Sequence, residues 1–147
     1  YLESTPVDVP IMTLRDAGEQ SGSRPELIRM DVEGHEVEIL GQLIDLVRED
    51  VMTPRVIFET HLSRYKAEND FAPVLNGLFE LGYRVNVAAS SSKTGTARLR
   101  ALGYEGGTPF YSDFGERALF RNISNEHAVD LICNTGGLRT VLLGKIG

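Results

Sequence analysis

LIRMDVEGHEVEIL, residues 27–40, changes character in its middle. Leu27 to Val32 is a short, mostly apolar run bounded by Pro25 and Gly34. Such a run suits a buried strand. Beyond it, Val37, Leu40, Ile44 and Val47 recur with Glu36, Glu38, Gln42 and Asp45 between them. That spacing marks one apolar face of a helix. Gly34 allows a tight turn from strand into helix. The stretch reads as strand, turn, helix, with Asp31, Glu33, His35 and Glu36 gathered at the junction.

The alternation continues downstream. Pro54 ends the connection, and Arg55 to Thr60 (RVIFET) is a second β-rich run. Phe71, Val74, Leu75, Leu78 and Phe79 mark another amphipathic helix, with Gly82 as its C-terminal cap. Tyr83 to Val87 (YRVNV) is a third strand. Strand, helix, strand, helix, strand argues for right-handed crossovers and a mainly parallel sheet. Upstream, Ile11 to Leu14 reads as a short strand end, and Asp16 to Pro25 as a short helix or loop. Beyond Ser90 the pattern breaks. Ser90 to Asp113 is long, polar and Gly-rich, and Ser90–Thr96 at its start reads as a flexible loop, a candidate lid. Ala118 to Arg121 reads as a last, antiparallel strand. Ser124 or Asn125 caps a helix through Ile132. Asn134 to Gly137 is a turn, and the tail Leu138 to Ile146 is apolar enough to dock on the body. In such a sheet the edge beside Leu27–Val32 stays open. Either more chain covers it from the N-terminal side or a second subunit does, which makes a homodimer through the open edge a candidate assembly.

Composition narrows the function classes. The chain has 147 residues, enough for one domain with a real core. Lys and Arg number 15 against 21 Asp and Glu, a formal net charge of -6. An acidic chain without a basic block is poorly suited to nucleic-acid backbone. No run approaches the roughly 18 apolar residues of a membrane span, so no membrane partner is expected. One cysteine, Cys133, excludes an internal disulfide framework and fits a reducing compartment, hence a cytoplasmic location. It reads as a small buried hydrophobe.

Chemistry concentrates where strands end. Alternate residues of a strand share a face, which puts Asp31 with Glu33 and Glu59 with His61. If the two strands are parallel neighbours, their C-terminal ends lie side by side, and open α/β sheets bind ligands in the crevice beyond such ends. Blander readings stand beside this one. Asp31 and Glu33 could favour the positive N-terminus of the next helix. His35 and Glu36 could be solvated first-turn residues, and His61 a surface loop residue. Glu59 closes an apolar strand and needs a partner or a purpose. Ser90–Thr96 lacks the spacing of a phosphate loop.

Three segments in order carry a resemblance: MTLRD at 12–16, LIRMDVEGHEVEIL at 27–40 and RVIFETH at 55–61. Together they resemble the FkbM family of S-adenosylmethionine-dependent methyltransferases over Pro10 to Val87. The resemblance implies an α/β, Rossmann-like class I methyltransferase fold with a mostly parallel, doubly wound sheet. Leu27–Val32, Arg55–Thr60 and Tyr83–Val87 would be its fourth, fifth and sixth strands, and Ala118–Arg121 its antiparallel seventh. Residues 1–147 would be one unit, the C-terminal portion of a methyltransferase domain. The first three strands, with the glycine loop and the acid that hold the cofactor, would precede Tyr1, so this chain alone could be inactive. The implied reaction is methyl transfer from S-adenosylmethionine to a hydroxyl of a small molecule or sugar. Its candidate catalytic residues are Asp31, Glu33, His35, Glu59 and His61. Likeness to catechol-type enzymes adds Mg²⁺ at Asp31 and Glu59 as a candidate. Two rivals remain at this stage. One is a metal-dependent hydrolase with those five residues as ligands to Mn²⁺, Zn²⁺ or Fe²⁺. The other is a non-catalytic, dimerising α/β domain.

Overall fold

The computed structural model describes residues 8–112 and 115–145. The first helix, α1 (Leu14–Ser21), starts where Thr13 and Asp16 exchange bonds: the Thr13 hydroxyl accepts from the Asp16 N–H, and the Asp16 carboxylate accepts from the Thr13 N–H. This reciprocal cap starts a helix at the place read as a strand end. Next come β1 (Leu27–Met30), α2 (Glu36–Arg48), β2 (Arg55–Glu59), α3 (Ala72–Glu80) and β3 (Tyr83–Ser90). All five match the alternation read from periodicity.

The second half differs from its reading. Ser90–Thr96 is no flexible loop but the end of β3 and the start of a helix. Ser92 caps α4 (Lys93–Ala101), and β4 (Phe110–Ser112) pairs with β5 (Gly115–Arg117) as a small hairpin. Asp113, the end of the polar stretch, lies outside the described residues. The Ala118–Arg121 run belongs to β6 (Leu119–Ile123). The helix capped by Ser124 is α5 (Asn125–Val129), and it passes into a wider π-helical turn over Asp130–Asn134. The tail is β7 (Leu138–Lys145), while Ile146 lies outside the described residues.

The sheet order is β1-β2-β7-β3-β6. Only β1 and β2 pair in parallel; β7 pairs antiparallel with both β2 and β3, and β6 antiparallel with β3. The expected mostly parallel sheet is therefore corrected to a mixed α/β fold whose five-stranded sheet is mostly antiparallel. The cause is β7, which inserts between the second and third strands. Ala118–Arg121 was expected to be the antiparallel seventh strand; it lies instead at the outer edge, and the tail holds the inserted position. β1, β2 and β3 still run in one direction, and β1 is left at the opposite edge of the sheet.

Two side-chain rows cross the sheet on one face. Val56, Leu143, Val85 and Ile123 form one, and Met30, Phe58, Val141, Ala88 and Phe120 the other. All nine are buried. Leu40, Leu43 and Leu46 of α2 and Leu75 and Leu78 of α3 join them in one core. Burial of such aliphatic and aromatic side chains contributes about 1.5–3 kcal/mol each. Phe58 meets Phe71 edge to face at 5.6 Å, which seats the start of α3 on β2. This core fixes β1, β2 and α2 relative to one another, and thereby the site at their ends.

Candidate functional site

β1, β2 and β3 end at the same border of the sheet, where β7 begins. The border is stitched by backbone. The Thr60 hydroxyl donates to the Leu138 carbonyl at 2.7 Å, and the Thr60 N–H to the Arg139 carbonyl at 2.8 Å. The Ser91 N–H donates to the Gly137 carbonyl at 2.8 Å. Above this seam lies a groove of about 440 Å³, walled by Glu33, His61, Ser63, Ser91, Gly137 and Arg139 among others. A cleft of about 630 Å³ lies by Arg84 and Asn122, but Arg84 is already tied to the carbonyls of Phe79 and Tyr83. Another, of about 470 Å³, is rimmed by Arg15 and Glu49, which pair with each other.

Within the groove an imidazole is held among carboxylates. His61 is 7% exposed. Its Nδ1 hydrogen-bonds Glu36 Oε1 at 2.7 Å, and Glu36 is fully buried. The His61 N–H donates to the Tyr65 hydroxyl at 3.0 Å, and burial raises that phenol above its ordinary range. Nε2 is buried beneath the groove wall, 3.5 Å from Asp31 Oδ1 and 3.6 Å from Glu33 Oε1. It has no hydrogen-bond partner, and neither has Glu36 Oε2. Asp31 and Glu33 are open to solvent, with Glu33 side-chain exposure at 69%.

Local backbone puts these groups together. β1 stops at Met30, and Glu33 (φ 53°) and Gly34 (φ 109°) turn the chain into α2. A Cβ on Gly34 would stand 2.7 Å from Arg64 Cβ, so glycine serves both the turn and the close approach. The Asn69 amide donates to the Gly34 carbonyl at 3.1 Å and holds the turn from outside. Past β2, His61 leaves the extended conformation (φ -124°, ψ 65°) and swings toward the first turn of α2.

Of the five residues expected at the site, three meet: the ligand atoms of Asp31, Glu33 and His61 lie within 4.8 Å of one another. His35 does not join them. It is 75% exposed beside Glu38, 3.6 Å away. Glu59 does not join them either; it pairs with Arg139 at 2.6 Å. Strand parity placed Glu59 with His61, but parity holds only while the backbone stays extended, and it stops at Glu59. A metal site built on Asp31 and Glu59, or on all five residues, is thus not assembled. His61 is not a surface loop residue, and Glu36 is not a solvated one. Glu36 is the group the sequence reading missed. The signal was present: positions 36, 40, 43 and 47 follow helical spacing, and Leu40, Leu43 and Val47 are all buried.

Among the described residues, no helix is long and apolar enough to cross a membrane. Comparison with curated proteins and with solved structures returns no match. The family model for the methyltransferase FkbM domain matches residues 1–85, more than half of the sequence and all of the segment that builds this cluster. The chain belongs to the FkbM methyltransferase family.

Proposed function

We propose that the groove is the acceptor side of an S-adenosylmethionine-dependent methyltransferase that methylates a hydroxyl of a small molecule or sugar. One observation carries the reading: a buried imidazole, backed by a buried carboxylate, turns an unpartnered nitrogen toward two exposed carboxylates beside a groove at the carboxyl ends of β1 and β2. In open α/β sheets that border is where ligands bind. On this reading β1, β2 and β3 act as the fourth, fifth and sixth strands of a class I methyltransferase, with β7 as the antiparallel seventh.

The cofactor supplies an electrophilic methyl group on a sulfonium sulfur, which departs as the thioether. The residues present suit that reacting end. Asp31 and Glu33 put negative charge beside the place a sulfonium cation would approach, and the Gly136–Gly137 turn leaves room without side-chain bulk. The described residues offer no glycine loop and ribose-binding acid, so the adenosine end is not assigned to residues of this chain. Asp31 and Glu33 orient the acceptor hydroxyl. Together with His61 they draw off its proton, leaving an oxygen nucleophilic enough for in-line attack. Glu36 fixes the His61 ring and its tautomer through Nδ1, much as a carboxylate orients a catalytic histidine elsewhere.

Saturable binding of S-adenosylhomocysteine titrated into the chain would support the reading and show that the reacting end holds the cofactor without a glycine loop. Asp31→Asn should lower methyl transfer to an accepted hydroxyl substrate by at least about 100-fold, the scale of a lost acid–base group. Unchanged turnover in Asp31→Asn would remove the acceptor-side role of the cluster.

A further inference from the structure

We infer that Asp31, Glu33 and His61 form a binding site for one divalent first-row cation of the Mn²⁺ to Zn²⁺ type. The unpartnered His61 nitrogen is the observation that an acidic cluster alone would lack. Nε2 is buried and faces two carboxylate oxygens, while Nδ1 faces a third carboxylate. Carboxylates only accept hydrogen bonds. A cation between Nε2 and the acids would serve all of these acceptors at once.

A direct N–H···O bond does not span that gap. A charge-assisted N–H···O bond closes to about 2.7–2.9 Å. The observed separations are 3.5 and 3.6 Å. Two ligands bound at about 2.1 Å to one ion, at right angles or tetrahedrally, stand roughly 3.0–3.5 Å apart. The two separations stand at the upper end of that range and just beyond it, and all three ligand atoms lie within 4.8 Å of one another, close enough to converge on one ion. Glu36 completes the pattern: a histidine that binds metal through one nitrogen usually gives its other N–H to a carboxylate, and Nδ1 does so at 2.7 Å.

Donor chemistry selects the ion. Two carboxylates and an imidazole suit Mn²⁺, Fe²⁺ or Zn²⁺, whereas Mg²⁺ prefers an all-oxygen shell. Three protein ligands leave further positions open toward the groove. An ion there would lower the pKa of a hydroxyl or water that joins it. This deepens the proposed function and rests on it only for the ion's role; the ion site itself stands on the geometry. With an ion bound, His61 would hold it through Nε2 instead of taking the proton, and the acidified hydroxyl would pass its proton to the free carboxylate oxygen of Asp31 or Glu33.

The test is calorimetric titration of tag-free, chelator-treated protein with MnCl₂, ZnCl₂ and MgCl₂. About one equivalent of Mn²⁺ or Zn²⁺ should bind with a Kd below about 100 μM, and Mg²⁺ more weakly. Asp31→Asn and Glu33→Gln should each weaken binding at least about 10-fold, and Glu36→Gln by about 10–100-fold. His35→Ala should bind like wild type. Glu33→Gln changes an exposed side chain, so it keeps the test valid should the buried variants fail to fold. No saturable Mn²⁺ or Zn²⁺ binding by wild type would overturn the site, as would undiminished binding by an Asp31→Asn, Glu33→Gln double variant. S-adenosylhomocysteine titrated in parallel separates the two readings. Ion binding without cofactor binding upholds the site and counts only against cofactor binding by this chain alone. Cofactor binding without ion binding does the reverse.

Discussion

Glu33 occupies a left-handed backbone conformation at φ 53°. For a residue with a Cβ this costs about 1–2 kcal/mol. Nothing in the turn requires a side chain there, since Gly34 follows at φ 109° and already provides the bend. A strained residue that places a carboxylate 3.6 Å from a buried imidazole suggests stability given up for chemistry. Glu33→Gly should raise thermal stability by up to about 1 kcal/mol, or roughly 2–4 °C in a chain of this size. The same change should weaken cation binding and methyl transfer. A melting curve and a titration on one sample decide it. A Glu33→Gly protein less stable than wild type would mean that the side chain supports the turn.

Among the elements, α4 shows how closely the groove wall is packed. Gly95 lies in its first turn, and a Cβ there would stand 2.4 Å from the Gly137 carbonyl oxygen, a backbone atom that cannot rotate away. Arg98, one turn on, donates to the carbonyls of Thr135 and Gly136. Gly95→Ala must therefore push α4 off the Gly136–Gly137 turn, at a cost of about 1–3 kcal/mol. Urea midpoints should show this loss, accompanied by weaker S-adenosylhomocysteine binding because the wall moves. Gly41→Ala, where a Cβ meets nothing within 4 Å, should behave as wild type or better. Elements also explain what the sequence revealed and what it hid. β1, α2, β2, α3 and β3 were legible because each carries its own period. β7 was not: Leu138 to Lys145 is apolar enough for several roles, and its place is set by pairing with strands 48 to 87 positions earlier. The crossover rule governs strands joined by helices and says nothing about a later strand inserting between them. α4 was hidden behind polar residues, since only Gly95, Thr96 and Leu99 of it are buried. At the site, Asp31, Glu33 and His61 were legible from the ends of apolar runs. Glu36 required extending the buried stripe of α2 backward by one turn, and the exclusion of Glu59 required knowing where the strand stops.

For the molecule as a whole, alkaline pH exposes how the core holds three neutral acids. Burial pushes the Tyr83 phenol and the Cys133 thiol each up to about 12 and raises the Tyr65 phenol further. Tyr83 also donates its hydroxyl to the Pro54 carbonyl at 3.0 Å, a bond that ionisation would abolish. Their unfolded values are near 8.5 for the thiol and 10 for the phenols. Between these values and the folded ones, the folded chain keeps protons that the unfolded chain releases. Stability then falls as pH rises, since its slope follows the protons bound in the unfolded state minus those bound in the folded state. The contribution is fully present below about pH 8.5 and is lost progressively toward pH 12. Denaturant midpoints should be level from pH 7 to 8 and drop steadily from about pH 9 upward. Cys133 should likewise resist iodoacetamide at pH 8 in the folded chain and react readily in 6 M guanidinium, because the thiolate is the reactive species. A Cys133→Ser variant removes the thiol part of the slope and leaves the phenol part, beginning near pH 10. Midpoints unchanged up to pH 11 would show that the three groups ionise without disturbing the core, and rapid alkylation of folded protein at pH 8 would show that the thiol is held in water.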